Sequence, residues 1–182
     1  MNVEVKTGKN LTKKELESIN LYRIKEFHSK KAISLSRETK DWLNLFFFLK
    51  DNHDKLLSFG IVEDLEINFQ GKSYDVLCVS TVVATQKNLG YGKMLMEKTK
   101  EYASGKGKTL IGFCEGSLLP FYQKCGFKIL NEEENKFVYI DPHGEVIHNI
   151  VPGEVFYISG IDEVIDKVIS VVDKTVKVPR KG

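Results

Sequence analysis

Residues 73–84, SYDVLCVSTVVA, are apolar and β-branched with no repeating polar face. Such a run predicts a strand buried on both sides, at the centre of a sheet rather than at its edge. A turn, TQKNLGYGK, follows over residues 85–93. Beyond it Tyr91, Met94, Leu95, Lys98 and Tyr102 fall on one helical stripe, and Gly105 and Gly107 end the helix. Residues 109–114, TLIGFC, start a new strand. A helical crossover between two strands predicts that they run parallel. The chain is thereby held to an α/β architecture.

The flanking sequence fills in that architecture. Residues 2–6 alternate as an edge strand, and Thr12 with Glu15 reads as a capping box opening a helix whose face carries Leu16, Ile19, Tyr22 and Phe27. A short helix is expected near residues 37–44. Phe46, Phe47 and Phe48 mark a buried strand, residues 50–55 a turn, and residues 56–69 a further strand that turns again at 70–72. Three strands therefore arrive in hairpin order before the glycines. After residue 114 a short helix is expected over 116–127, with Pro120 in its first turn and Gly126 at its end. Strands follow near 128–130 and 136–140, then a turn at 141–144 and a last strand at 154–158. Ile161, Val164, Ile165, Val168 and Val172 predict a terminal amphipathic helix, and the tail from residue 174 is expected to fray. The fold class is α/β (α+β): a mixed, mostly antiparallel central sheet flanked by helices. Residues 1–160 are read as one domain, with 161–182 part of the same unit.

Composition excludes several classes. The 182 residues suffice for a core without cross-links, and 42% hydrophobic with 29% charged residues is an ordinary globular mix. A net charge of +2 gives no global field for nucleic acid or a membrane surface. No apolar run approaches the roughly 20 residues that span a bilayer, and residues 1–11 lack a signal-peptide core, so a cytoplasmic protein is expected. Four cations near the carboxyl end, Lys174, Lys177, Arg180 and Lys181, are too few to argue for nucleic acid. Cys78, Cys114 and Cys125 lack paired spacing and read as reduced, buried thiols. His28, His53, His143 and His148 show no metal-ligand spacing.

Glycines at 90 and 92, between strand and helix, bare the backbone where a helix begins. Amides there lack intrahelical acceptors and carry about half a positive charge from aligned peptide dipoles. An anion, most simply a pyrophosphate, fits such a turn, with Lys87 and Lys93 adding charge. The Walker pattern fails, because Met94 follows Gly92-Lys93 and no glycine lies five residues earlier. The dinucleotide pattern fails because Leu95 stands where its third glycine belongs.

Three elements together narrow the reading: the strand CVSTVVA, the turn KNLGYG, and FYQKCGF at residues 121–127. In these the chain resembles the GNAT acyltransferase superfamily, whose pyrophosphate turn reads Arg/Gln-x-x-Gly-x-Gly/Ala. Lys87 stands here for the Arg or Gln. Its downstream motif is matched by Phe121, Tyr122, Lys124, Gly126 and Phe127. The resemblance covers about residues 75–130. It implies acetyl-CoA as donor, with the CoA pyrophosphate on Lys87, Asn88, Leu89, Gly90, Tyr91, Gly92 and Lys93. It implies that the strands around 73–84 and 109–114 splay, so that pantetheine pairs with backbone near Val82 and Val83. Phe121 and Lys124 flank the motif position of Tyr122, which supplies the family's acid. A phenol with pKa about 10 is protonated at neutral pH and has the basicity of the thiolate it would serve. For the general base the strand offers only Asp75, and Glu115 lies just beyond the second strand. Cys78 reads as a thiol without a partner rather than a nucleophile.

The expected acceptor is a primary amine of a small molecule, transferred to directly, in a monomer or homodimer. A peptide or protein amine, or a non-catalytic acyl-CoA-binding module, are the alternatives. Residues 131–135, NEEEN, would attract a cation. Residues 137–158 are loosely similar to the aminoglycoside 2′-N-acetyltransferase branch.

Overall fold

A computed structural model describes residues 1–27, 32–131, 136–140, 145–147, 154–171 and 175–179. The chain forms two compact units: Met1–Glu63 with Val79–Thr99, and Asp64–Cys78 with Lys100–Gly182. Strands β3 (Leu56–Phe69) and β4 (Lys72–Ala84), and helix α2 (Tyr91–Gly105), begin in one unit and end in the other.

In the first unit β1 (Asn2–Thr7) pairs antiparallel with β2 (Leu45–Lys50), which pairs antiparallel with β3, and β3 neighbours β4. Val5 stands opposite Phe47, and Phe47 opposite Gly60. Helix α1 (Lys13–Phe27) opens on the expected capping box: Thr12 Oγ1 accepts the Glu15 amide at 3.2 Å, and the Glu15 carboxylate accepts the Thr12 amide at 2.9 Å. Its face meets the sheet at Ile19, which joins Phe46, Phe48, Phe59, Ile61 and Val83 in one core. Each large apolar side chain buried there contributes about 1.5–3 kcal/mol. Asn20 stitches the following segment to the helix. Its amide donates to the Ile33 carbonyl (3.1 Å), and its oxygen accepts the Ile33 amide (2.8 Å). Two expectations change here. Phe27 is 50% exposed rather than on the packed face. The helix expected near 37–44 is a single 3-10 turn, Lys40–Trp42.

Helix α2 also buries a different stripe from the one its large residues suggest. Gly92, Leu95, Met96, Thr99 and Ala103 are buried, while Met94 and Lys98 face solvent. Small residues let a helix lie close to its neighbours, so this face contains glycine, threonine and alanine. β4 likewise has an exposed start: Lys72, Ser73 and Asp75 are open, and full burial begins at Val76.

In the second unit the strand order is β6–β9–β5–β4–β3–β10–β7–β8. The strands not yet named are β5 (Leu110–Cys114), β6 (Lys128–Leu130), β7 (Phe137–Ile140), β8 (Val146–Ile147), β9 (Glu154–Ile158) and β10 (Val176–Pro179). β9 pairs antiparallel with β5 and β6, β7 with β8, and β10 with β3, whereas β10 runs parallel to β7. β4 and β5 are neighbours, and the Leu77 amide donates to the Thr109 carbonyl at 2.9 Å. The mixed, mostly antiparallel sheet with flanking helices is the fold class expected.

The carboxyl-terminal tail corrects the sequence reading. β9 is not the last strand. Val176 and Val178 are buried in a core with Phe137, Ile67 and Val155. The alternation Val176, Val178 is a two-residue apolar period that positive charges on either side obscure. α4 (Val164–Ser170) buries Val164, Ile165 and Val168, but Ile161 is 88% exposed because the helix starts after it. Val172, residues 132–135 of the acidic run, the turn at 141–144, and His28, His143 and His148 lie outside the described residues. Cys114 and Cys125 are buried free thiols and Cys78 is half-buried. No helix among the described residues is long and apolar enough to cross a membrane.

Candidate functional site

The glycine turn belongs to the first unit. Asn88 (φ 61°) and Gly90 (φ 77°) are both left-handed, and a Cβ added at Gly90 would meet nothing within 4 Å. Glycine takes that conformation without the steric cost of a side chain. The first backbone bond into α2 runs from the Met94 amide to the Gly90 carbonyl, at 3.0 Å. No described residue accepts from the amides of residues 88–93. These donors open to solvent at a helix N-terminus, a donor set that fits an anion. Gly90 is exposed but Gly92 is buried, so the two glycines differ: one shapes the open turn, the other lets the helix pack.

The side chains around the turn divide as well. Leu89 is 54% exposed and Tyr91 half-buried. Lys93 is exposed, 3.9 Å from Glu97 one turn on. Lys87 is already ion-paired with Glu26 of α1. Val82 is half-buried and Val83 buried, and the Val83 carbonyl accepts the Ser58 hydroxyl at 2.9 Å.

Tyr122 belongs to the second unit, on α3 (Leu119–Lys124), with Pro120 in the first turn as expected. The helix stops in a Schellman motif. The Phe127 amide donates to the Tyr122 carbonyl (3.1 Å) and the Gly126 amide to the Gln123 carbonyl (2.8 Å), with Gly126 at φ 80°. The apolar contact that accompanies such a motif is Tyr122 against Phe127, edge to face at 6.0 Å. Lys100 donates to the Cys125 carbonyl, adding a cation at the negative end of the helix. Phe121 packs edge-on against Tyr122 at 5.0 Å, and Lys124 is exposed.

The Tyr122 ring stacks on Phe156 of β9, centroids 3.6 Å apart and planes 11° off parallel. Phe156 pairs with Gly112 of β5, where a Cβ would sit 2.1 Å from the Phe156 ring. Gly112 is therefore required by contact: the ring occupies its side-chain space. Burial, then the neighbouring Cys114 and Cys125, push the Tyr122 phenol above its ordinary value. The sequence argument assumed a phenol matched to a thiolate. The buried phenol holds its proton more tightly, so it is firmly protonated at neutral pH and acts through the hydrogen bond it donates. Burial, and secondarily the charge of Glu154, push the Cys114 thiol up to about 11, which makes it a poor nucleophile.

Asp75 and Glu115, the carboxylates considered as bases, are both exposed. Sequence reasoning missed Gly112, Cys114, Glu154 and Phe156. The period-two spacing of Glu154 and Phe156 puts both on one face of β9, but only the β5–β9 register brings Cys114 and Gly112 opposite them.

No protein-family model matches the sequence, and neither does any curated protein. Solved structures do match in fold. A GNAT family N-acetyltransferase, YhbS, from Escherichia coli in complex with CoA superposes over 97% of this chain and 88% of its own, with TM-score 0.58 and 10% identity. An acyl-CoA N-acyltransferase from Pseudomonas aeruginosa matches over 86% of this chain and 97% of its own, with TM-score 0.55 and 16% identity. Escherichia coli ElaA matches over 86% and 97%, with the same score and identity. At these identities the likeness establishes the acyl-CoA N-acyltransferase fold.

Proposed function

We propose that this chain is an acetyl-CoA-dependent N-acetyltransferase that passes an acetyl group directly to a primary amine of a small molecule. The observation that carries the reading is the row of acceptor-free amides over residues 88–93, behind a left-handed Asn88 and Gly90 at the start of α2. That arrangement suits a diphosphate, and the fold is one whose solved examples include a CoA complex.

In this reading the amides of Asn88, Leu89, Gly90, Tyr91, Gly92 and Lys93 hold the pyrophosphate of CoA. Lys93 adds charge, and Lys87 does so once released from Glu26. Backbone at Val82 takes the pantetheine arm, since the Val83 carbonyl already serves Ser58. Bound there, acetyl-CoA supplies an acyl group already activated as a thioester. Tyr122, flanked by Phe121 and Lys124, donates a hydrogen bond from its buried hydroxyl toward the departing sulfur. The amine must reach the site neutral, because an ammonium has no lone pair. Holding donor and amine together supplies much of the acceleration, since orientation alone is worth several kcal/mol. Residues 1–182 act as one catalytic unit, cytoplasmic, as a monomer or homodimer. A polyamine-like acceptor, as in the aminoglycoside 2′-N-acetyltransferase branch, fits the reading.

Thiol release from acetyl-CoA, measured over a panel of primary amines with a thiol-reactive dye, tests it. Amine-dependent release is expected. CoA binding without release with any amine would leave a binding module, and binding of ATP but not CoA would overturn the reading.

A further inference from the structure

Glu154 heads β9, opposite Cys114 of β5. Two residues on is Phe156, the ring on which Tyr122 stacks. Strand side chains alternate, so Glu154 and Phe156 project to one face about 7 Å apart, with Cys114 and Gly112 beside them. The carboxylate lies over the start of the 3-10 turn Gly116–Leu118: a Cβ on Gly116 would sit 3.0 Å from Glu154 Oε1 and 3.6 Å from Oε2. It is half-buried, and among the described residues it pairs with no cation and accepts no hydrogen bond. The side chains it meets, Cys114 and Phe156, offer it no strong donor. A partly desolvated carboxylate without a counter-ion is costly for a fold to keep, and it gains most from a cation that arrives from outside.

We propose that Glu154 is the anionic contact for the acceptor, and that the acceptor carries a second, charged nitrogen beside the amine that reacts. This deepens the transferase reading and rests on it. A carboxylate next to an ammonium stabilises the charged form, so Glu154 would hinder the reacting nitrogen if it held that one. It therefore fits a dication: one nitrogen stays protonated on Glu154 while the other, as the neutral amine, reaches the face that Tyr122 covers. The substrate class is a short diamine or a polyamine, rather than a simple alkylamine.

The test compares 1,4-diaminobutane with butylamine as ligands of the wild-type protein saturated with CoA, by calorimetry, and then as acceptors with acetyl-CoA. Wild type should bind the diamine at least tenfold more tightly, with a preference that shrinks as salt rises. Glu154→Gln should erase the preference and raise KM for the diamine about tenfold, with kcat changed far less and CoA affinity unchanged. Equal affinity of the two amines for wild type, or a preference that survives Glu154→Gln, overturns the assignment. Failure of wild type to bind CoA at all would instead overturn the transferase reading beneath it.

Discussion

The glycine turn and the tyrosine stack recognise by opposite means. At residues 88–93 the working groups are main-chain amides on an exposed turn, and side chains matter chiefly by staying out of the way. At Tyr122 the working group is one hydroxyl, and four aromatic rings with a glycine fix where it lies. A backbone site is shaped by local dihedral angles, so substitutions there should alter ligand affinity and leave the fold nearly intact. A packed site is shaped by volume, so substitutions there should cost stability first and turnover with it.

The largest effect is expected at Gly112. Gly112→Val would drive a branched side chain into the Phe156 ring, and overpacking of this kind costs about 3 kcal/mol. The denaturation midpoint should fall with it, while the same substitution at an open glycine should not approach that loss. Next, Tyr122→Phe keeps the stack and removes the hydroxyl. Turnover should fall about 10- to 100-fold with little change in thermal midpoint or CoA affinity. An unchanged kcat would show that solvent or another donor serves the sulfur.

How far these two regions could be read in advance differs for the same reason. The turn is local: strand, two glycines and helix stripe lie within about 20 consecutive residues, and helix-end physics gives them meaning. FYQKCGF is also local, and its helix, proline and terminal glycine fall where expected. What the sequence hid is non-local. Glu154 and Phe156 gain their roles only from register with Cys114 and Gly112, some forty residues earlier. β10 was hidden because a four-residue strand amid lysines carries little signal until β3 and β7 flank it. The buried stripe of α2 was misplaced because large residues attract attention, whereas close packing selects small ones.

Charge sharpens the comparison further. The first unit ties β1, β2 and α1 together through Lys6–Glu15 (2.8 Å), Lys6–Glu4 (2.9 Å), Lys50–Glu4 (3.0 Å) and Lys50–Glu15 (3.4 Å). Burial opposes ionisation of Glu15, but the hydrogen bonds from Lys6 and Thr12 outweigh it and bring its carboxyl down to about 2. A lowered folded-state value means this stability is fully present above the unfolded value, near 4.5, and drains away as pH falls from there toward 2. Partial solvent screening leaves a contribution of about 2 kcal/mol. Glu15→Gln should lower stability at pH 7 by that amount and flatten the acid limb of the pH–stability curve. The tyrosine stack should be indifferent over that range.

The smallest structural cost is expected at Gly90. Gly90→Val forces a branched residue into a left-handed conformation at about 1–2 kcal/mol and crowds the amides. Affinity for CoA should drop about tenfold. Loss of stability without loss of affinity would mean that this turn does not touch the donor.

The most direct test follows the backbone amide resonances of residues 88–93 by heteronuclear NMR while CoA is added to the wild-type protein. Large, saturable shifts concentrated on Asn88, Gly90 and Gly92, reproduced by 3′,5′-ADP and reduced in Gly90→Val, are the predicted result. Saturable binding that leaves these amides unmoved, or no binding of CoA, would contradict the account.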